Sequence, residues 1–382
     1  MNKIIVVGGG ISGLSAAQAA READPEARIH LICGEKCLPY YRMRICELFS
    51  GLSSDKLTVR NYQWFVDNHI EVVNGRAISL DTEEKKVRFE DGSFLFYDKL
   101  VLATGGTGNK QELPGGGEKN TLSLRFMADI ERVQNLPGPA VLVGGGLLGL
   151  EAAWHLSKSG RPVTIIELGE WLLNRQLDEE ASRFFLAIVE NAGVRIALRG
   201  QVESYNGRTL LLGDGRAFEA ACLLFATGIR PQIKLTKSIG VTLGRGIVVD
   251  EAMRTSLPDI YACGDCAEYQ GQTMGLWTVS MAQGMIAGKN AAGLETAYVP
   301  EAPPYMMKAM GSSMWAAGAQ TPNSLTEKSS VAGRLIKLFF DEQDKLTGAI
   351  LIGDVAQSLN LKKALAADMG KDEAANSFLG IS

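Results

Sequence analysis

The chain has 382 residues, 46% of them hydrophobic and 21% charged, which is enough apolar material for two to three domains with cores of their own. A net charge of -4 and the lack of any long Lys/Arg run argue against a nucleic acid or an anionic membrane as the main partner, while leaving room for local basic patches. No apolar run is long enough to span a bilayer and the first strand signal starts at Asn2-Lys3-Ile4, so no leader is expected; with six irregularly spaced cysteines read as reduced thiols, a soluble cytoplasmic protein is expected.

In chain order, Ile4-Ile5-Val6-Val7 reads as a buried strand and runs straight into Gly8-Gly9-Gly10-Ile11-Ser12-Gly13, which opens a helix-like run. This first unit ends at Ala103-Thr104-Gly105, and a Gly- and Pro-rich stretch at 105–117 marks a crossing between domains. The order then repeats: Val141-Leu142-Val143 leads into Gly144-Gly145-Gly146-Leu147-Leu148-Gly149, and that unit closes at Ala226-Thr227-Gly228. Both turns fit G-x-G-x-x-G, where glycines let backbone amides and a helix N-terminus approach a pyrophosphate. One such turn is as readily a tight structural turn; two in the same strand-turn-helix setting point to two bound dinucleotides.

Further on, Thr255 leads through Ile260-Tyr261-Ala262-Cys263-Gly264-Asp265 to a helix-like run at 280–293, rich in Ala, Met and Gly, which returns the chain to the first domain. After a Pro-rich linker at 300–304, strand signals at 335–340 and 346–352 and a helix at 359–367 outline a smaller third domain. The expected class is α/β: two Rossmann-like domains, the first made of 1–112 and 243–297 with the second, 113–242, inserted in it, and a small C-terminal α+β domain at 298–382.

Both glycine turns, both Ala-Thr-Gly segments and the Ile260–Asp265 segment, in this order, resemble the two-dinucleotide-binding flavoprotein family. That family includes glutathione reductase-like enzymes, dioxygenase ferredoxin reductases, NADH:rubredoxin reductases and the flavin-containing part of assimilatory nitrite reductase, and the resemblance covers almost the whole chain. Pro39-Tyr40-Tyr41-Arg42-Met43-Arg44-Ile45-Cys46-Glu47 is similar to the rubredoxin reductase pattern, and Leu173-Asn174-Arg175-Gln176-Leu177-Asp178 to a segment of the ferredoxin reductase branch.

The resemblance implies that FAD is held by Gly8, Gly10 and Gly13 at its pyrophosphate, with Ala103, Thr104, Gly105 and Gly264 along the site and Asp265 on the ribityl chain or phosphate. As an alternative, Asp265 caps the segment that follows it. The helix start near 278–280 would aim its positive end at the flavin N1/O2 edge. NADH falls to Gly144, Gly146 and Gly149, with Ala226, Thr227 and Gly228.

The acid that normally holds the FAD ribose is replaced by Cys33. Glu35, two residues on, is the substitute, or a solvated surface residue. Glu167 fills the matching position in the second unit, where a carboxylate accepts from a ribose 2'-hydroxyl and repels a 2'-phosphate, so NADH is expected over NADPH; Arg175 lies too far along to reverse this.

Glu151 matches a family glutamate near nicotinamide and flavin, which many members pair with a lysine; here Glu47 stands at the lysine position. These two are the catalytic candidates, or Glu151 is a plain helix-surface residue. Facing carboxylates repel unless separated, protonated or bridged by Arg42 or Arg44. Arg42 leans towards FAD, while Arg44 divides evenly between a phosphate contact and a solvated loop.

Cys37-Leu38-Pro39-Tyr40 invites comparison with the Cys-Gly-Leu-Pro-Tyr of coenzyme A-disulfide reductases, but is one residue short. No Cys-x4-Cys pair occurs in the first domain and the C-terminal domain has no histidine, so a disulfide mechanism is disfavoured. Cys263 and Cys266 read as packing residues, and His30, His69 and His155 as core or surface; no metal site is expected. Trp277, Met306, Met307, Met310 and Trp315 are core candidates or line an acceptor surface, and Lys362 and Lys363 form a basic patch or a solvated face.

The expected function is an NADH-dependent FAD oxidoreductase that passes electrons to rubredoxin or a ferredoxin, as a monomer or homodimer. The alternatives are an NADH oxidase, peroxidase or small-disulfide reductase using Cys37, and a redox-sensing flavoprotein.

Overall fold

The computed structural model describes residues 2–320, 325–331 and 333–380. Contacts divide the chain into two units, one of Met1–Ile45, Ser53–Gly108 and Gly228–Glu301, the other of Cys46–Leu52, Asn109–Thr227 and Ala302–Ser382.

In the first unit five parallel strands lie in the order Ile260–Ala262, Lys99–Leu102, Lys3–Val7, Arg28–Cys33, Ile70–Asn74. Ile4, Ile5 and Val6 are fully buried in the central strand. A strand buried on both faces reads as a continuous β-branched run rather than an alternating one, and that is the signal at Ile4 to Val7. The edge strand Ile260–Ala262 pairs with Lys99–Leu102 far back in the sequence, which brings the chain home.

Behind it, the helix Trp277–Ala291 packs on Ile11–Ala23. The close approach needs glycine: a Cβ on Gly284 or Gly288 would lie 2.2 Å from the Ser12 carbonyl oxygen or 2.1 Å from that of Ala16. This helix starts three residues before the expected 280, because Trp277 occupies its first turn and the Ser280 amide donates to the Leu276 carbonyl. A three-stranded antiparallel sheet, Ala77–Asp81, Lys86–Phe89 and Phe94–Phe96, completes the unit together with two short strand pairs.

The second unit repeats the plan with strands in the order Arg195–Ala197, Val163–Ile166, Ala140–Val143, Cys222–Phe225, Thr121–Ser123, all parallel. The helix Leu147–Lys158 follows the second glycine turn, and Glu179–Asn191 lies further on. The unit also carries five antiparallel strands in the order Tyr305–Ala309, Ser312–Gly318, Leu346–Ile352, Arg334–Phe340, Leu325–Val331, with helices Ser358–Ala366 and Lys371–Leu379.

Sequence patterning found two of those strands and one helix. It missed the strands built from Met, Ala, Ser and Gly, which carry little β-branched signal. Met307, Met310 and Trp315 are core, whereas Met306 is 57% exposed because strand alternation turns it outward. Lys337, 5% exposed, is held by Asp178 and Glu180, and Asp178 also accepts the Ala181 amide at 3.0 Å as the cap of the Glu179–Asn191 helix. The expected α/β class is borne out.

Candidate functional site

Each glycine turn is held by the same bonds. The Gly8 amide donates to Ile32 O at 3.0 Å, and the Gly144 amide to Ile166 O at 2.8 Å; the Ala103 amide donates to Val7 O at 2.9 Å, and the Ala226 amide to Val143 O at 2.8 Å. A Cβ on Gly8 would meet Ala103 O at 2.0 Å and one on Gly13 would meet Gly8 O at 1.9 Å; the corresponding approaches at Gly144 and Gly149 are 2.7 Å and 2.0 Å. The middle glycine differs. Around Gly10 and Gly146 nothing lies within 4 Å of that Cβ position, so each turn is tight where it meets its own strand and open at the helix entrance. Gly10 and Gly146 also sit at the N-caps of helices of 13 and 12 residues whose caps take no side-chain bond. Free amides at a positive helix end beside open space fit a dinucleotide pyrophosphate at both turns.

In the first unit, the Tyr40 hydroxyl donates to Glu35 at 2.8 Å, and Arg42 donates to that hydroxyl at 2.6 Å and to Glu35 at 2.5 Å. Arg42 keeps its charge against burial because Tyr40, Glu35 and Asp265 face it. Asp265 accepts from the Ser280 hydroxyl at 3.2 Å, and the Gly264 amide donates to Gln283 Oε1 at 2.9 Å, which ties this segment to the Trp277–Ala291 helix. Cys33 lies under the turn, with Sγ 2.6 Å from where a Gly9 Cβ would stand, and burial first, then Cys37 and Glu35, pushes its thiol up to about 12. Cys33 therefore packs as a neutral side chain where an acid was expected.

Thr104 and Thr227, singled out as cofactor residues, each carry a crossing chain: Thr104 Oγ1 donates to Gln232 O at 2.7 Å, and Thr227 Oγ1 to Asn109 O at 3.0 Å. Gly105 O accepts the Gln232 amide at 2.8 Å, and Gly228 precedes the strand Ile229–Pro231, which pairs with Gly106–Gly108.

In the second unit, Glu167 ends the Val163–Ile166 strand, and its two carboxylate oxygens accept the Gly145 and Gly169 amides, both at 2.6 Å. It is oriented beside the second turn, with lone pairs left over for a hydroxyl donor. Glu151, one turn into the Leu147–Lys158 helix, is half-buried; burial first and then the charge of Glu47 raise its pKa to about 7. The raised value keeps the Glu151 carboxyl protonated towards neutral pH. Sequence reasoning missed Tyr40, Ser280 and Gln283 as hydrogen-bond partners within the first unit, and separately Ser50 and His155 within the second; a lone polar side chain carries no periodic signal.

The six cysteines are free thiols, and Cys263 and Cys266 are fully buried. Burial and then Glu35 raise the half-buried Cys37 thiol above its ordinary value, against Arg42, which disfavours the thiolate that disulfide chemistry needs. His30 is buried, with Nε2 3.2 Å from Glu71. Among the described residues no group of three or more His, Cys, Asp or Glu is arranged to hold a metal, and no helix is long and apolar enough to cross a membrane.

Residues 2–284 match the pyridine nucleotide-disulphide oxidoreductase family model, and the chain belongs to that family. It is an oxidoreductase of the class whose cofactors are FAD and NADH. It is 33% identical to the NADH-rubredoxin oxidoreductase of Clostridium acetobutylicum over 95% of this chain and 94% of that one. The biphenyl dioxygenase system ferredoxin--NAD(+) reductase component of Paraburkholderia xenovorans is 32% identical, over 94% of this chain and 85% of its own length. The crystal structure of NADH:rubredoxin oxidoreductase from Clostridium acetobutylicum superposes with a TM-score of 0.80 at 31% identity, covering 97% of this chain and 96% of that one.

Proposed function

We propose that this protein oxidises NADH and passes the electrons through bound FAD to a small iron protein, rubredoxin or a ferredoxin, in the cytoplasm, as a monomer or homodimer. The observation that carries the reading is the duplicated turn, tight at its outer glycines and open at Gly10 and Gly146. Two dinucleotides on one chain is what flavin-mediated oxidation of a pyridine nucleotide requires. The printed activities of the relatives support the acceptor class, and six free thiols fit a reducing compartment.

In this reading FAD belongs to 1–112 with 243–297 and NADH to 113–242, with 298–382 as a third domain. The amides at Gly8, Gly10 and Gly13 receive the FAD pyrophosphate, Arg42 adds a cation, Glu35 faces the adenosine ribose, and Asp265 accepts from the ribityl chain beside Gly264. Ala103, Thr104 and Gly105 form the floor. Gly144, Gly146 and Gly149 receive the pyrophosphate of NADH and Glu167 its ribose hydroxyl, with Ala226, Thr227 and Gly228 alongside. Bound FAD supplies the conversion from a two-electron hydride donor to one-electron transfer. Glu151 keeps a proton at its carboxyl into the neutral range and, with Glu47, sets the charge next to the reacting centre.

The test is anaerobic stopped-flow. NADH should bleach the flavin absorbance within the mixing time, and rubredoxin or ferredoxin should restore it at a rate that falls with salt, since such encounters are small and steered by charge. Fast turnover with oxygen, hydrogen peroxide or coenzyme A disulfide, and none with either iron protein, would overturn the acceptor assignment.

A further inference from the structure

The Gly264–Asp265 turn lies between two helices, and both shape it. Gly264 has a φ of +75°, and a Cβ there would stand 2.6 Å from the Ser12 hydroxyl and 3.5 Å from that of Ser280. Ser12 is at the start of Ile11–Ala23 and Ser280 at the start of Trp277–Ala291, so the two helix entrances meet across this glycine. The pair has little freedom to slide. Gly284 and Gly288 bring one backbone against the Ser12 and Ala16 carbonyls of the other, and packing this close resists small displacements.

Two buried side chains reach from the Trp277–Ala291 helix to the turn. Gln283, 4% exposed, accepts the Gly264 amide at 2.9 Å, and Ser280, 6% exposed, donates to Asp265 Oδ1 at 3.2 Å. A backbone amide only donates, so the Gln283 atom facing it is the carbonyl oxygen, and that fixes which way round the side-chain amide sits. Positions 280 and 283 fall on one face of the helix. A single rigid face therefore holds the backbone of Gly264 and the carboxylate of Asp265 together.

Burying a glutamine and a serine this deeply costs desolvation that an apolar side chain of similar size would not, and the partners described for both lie in the turn. A carboxylate has about four lone-pair sites, of which the Ser280 hydroxyl fills one. Arg42 faces the same carboxylate, so the serine is one hold among several.

We propose that Ser280 and Gln283 are positioning residues for FAD, which set the Gly264 backbone and the Asp265 carboxylate in the orientation that meets the ribityl chain. The proposal rests on the reading of Asp265 as a FAD ligand. Neither side chain touches the cofactor; each acts through the turn. Without the Ser280 hydroxyl, Asp265 regains rotamer freedom that FAD must remove on binding. Without the Gln283 oxygen, the buried Gly264 amide loses its acceptor and the turn moves to find another.

The test follows FAD release from the full-length holoenzyme by the rise of free-flavin fluorescence after dilution. Ser280→Ala and Gln283→Met should each release FAD about tenfold faster than wild type. The visible circular dichroism of the bound flavin, which reads the asymmetry imposed on its ring, should change in both and resemble that of Asp265→Ala. Adding Ser280→Ala to Asp265→Ala should alter the release rate less than about twofold, because the carboxylate through which it acts is gone. Ser280→Ala removes a single oxygen, which keeps the test open if Gln283→Met does not fold. Wild-type release from Ser280→Ala overturns the positioning, as does an equal acceleration in both backgrounds or an unchanged flavin spectrum. Asp265→Ala that keeps FAD like wild type removes the ligand itself and with it the ground of the proposal, a result distinct from a silent Ser280→Ala.

Discussion

At the residue scale, Glu151 links stability to pH. Its ordinary pKa of 4.5 applies to the unfolded chain and the native value is about 7, so the native state binds more protons in between. The stability this group contributes is full below about pH 4.5 and is lost as pH rises through about 7. Glu151→Gln should flatten the fall in urea-unfolding free energy between about pH 5 and about pH 8 and leave the variant more stable at the upper end, by on the order of 2 kcal/mol. A variant with the wild-type slope would show that another group titrates there.

Glu167 is the second case. Glu167→Arg removes the acceptor of two backbone amides and replaces repulsion of a 2'-phosphate with attraction. The ratio of kcat/KM for NADPH over NADH should rise at least about tenfold, with some loss of stability from the two stranded amides. A wild-type enzyme that already prefers NADPH would contradict the role given to this carboxylate. Glu167 was legible because its place after a strand and a glycine turn is local. The Glu35–Tyr40–Arg42 cluster was legible only as residues, since their mutual bonds depend on how the loop folds back.

At the scale of elements, the glycines divide by what surrounds them. Gly10→Val meets no protein atom at Cβ, so the variant should fold with a melting temperature close to wild type yet lose FAD on gel filtration, read as flavin absorbance per protein. Gly288→Val drives a side chain into the Ala16 carbonyl and should instead cost stability, about 3 kcal/mol or more, through the helix pair itself. Wild-type flavin content in Gly10→Val would remove the first turn from the pyrophosphate. The strands and helices at both turns were legible because burial on both faces imposes a continuous apolar run. The Trp277–Ala291 helix was legible in type but not in start, since no capping side chain marks Leu276.

At the scale of the whole molecule, the second unit combines a parallel sheet with the C-terminal antiparallel one, and Lys337 is a charged tie between them. Lys337→Met keeps the stem but removes the one cation that Asp178 and Glu180 share, leaving Lys328 on Glu180 and none on Asp178 among the contacts described. The variant should unfold at lower denaturant, by about 1–3 kcal/mol given that Glu180 is half exposed, and its thermal transition should broaden as the C-terminal sheet loosens first. An unchanged, single sharp transition would show that apolar packing alone carries the tie.

What the sequence by itself determined is what contiguous residues impose: two strand-glycine-helix units, their repetition, the returning Ile260–Asp265 segment and the family to which these belong. The backbone geometry of a phosphate turn and the burial of a central strand are local requirements, so they leave local marks. The tertiary structure alone decided that Cys33 packs as a neutral thiol, that Thr104 and Thr227 hold crossing chains, and that Ser50 and His155 meet within the second unit. Those outcomes depend on through-space distance and desolvation between residues far apart in the chain, and neither quantity is written in the order of the amino acids.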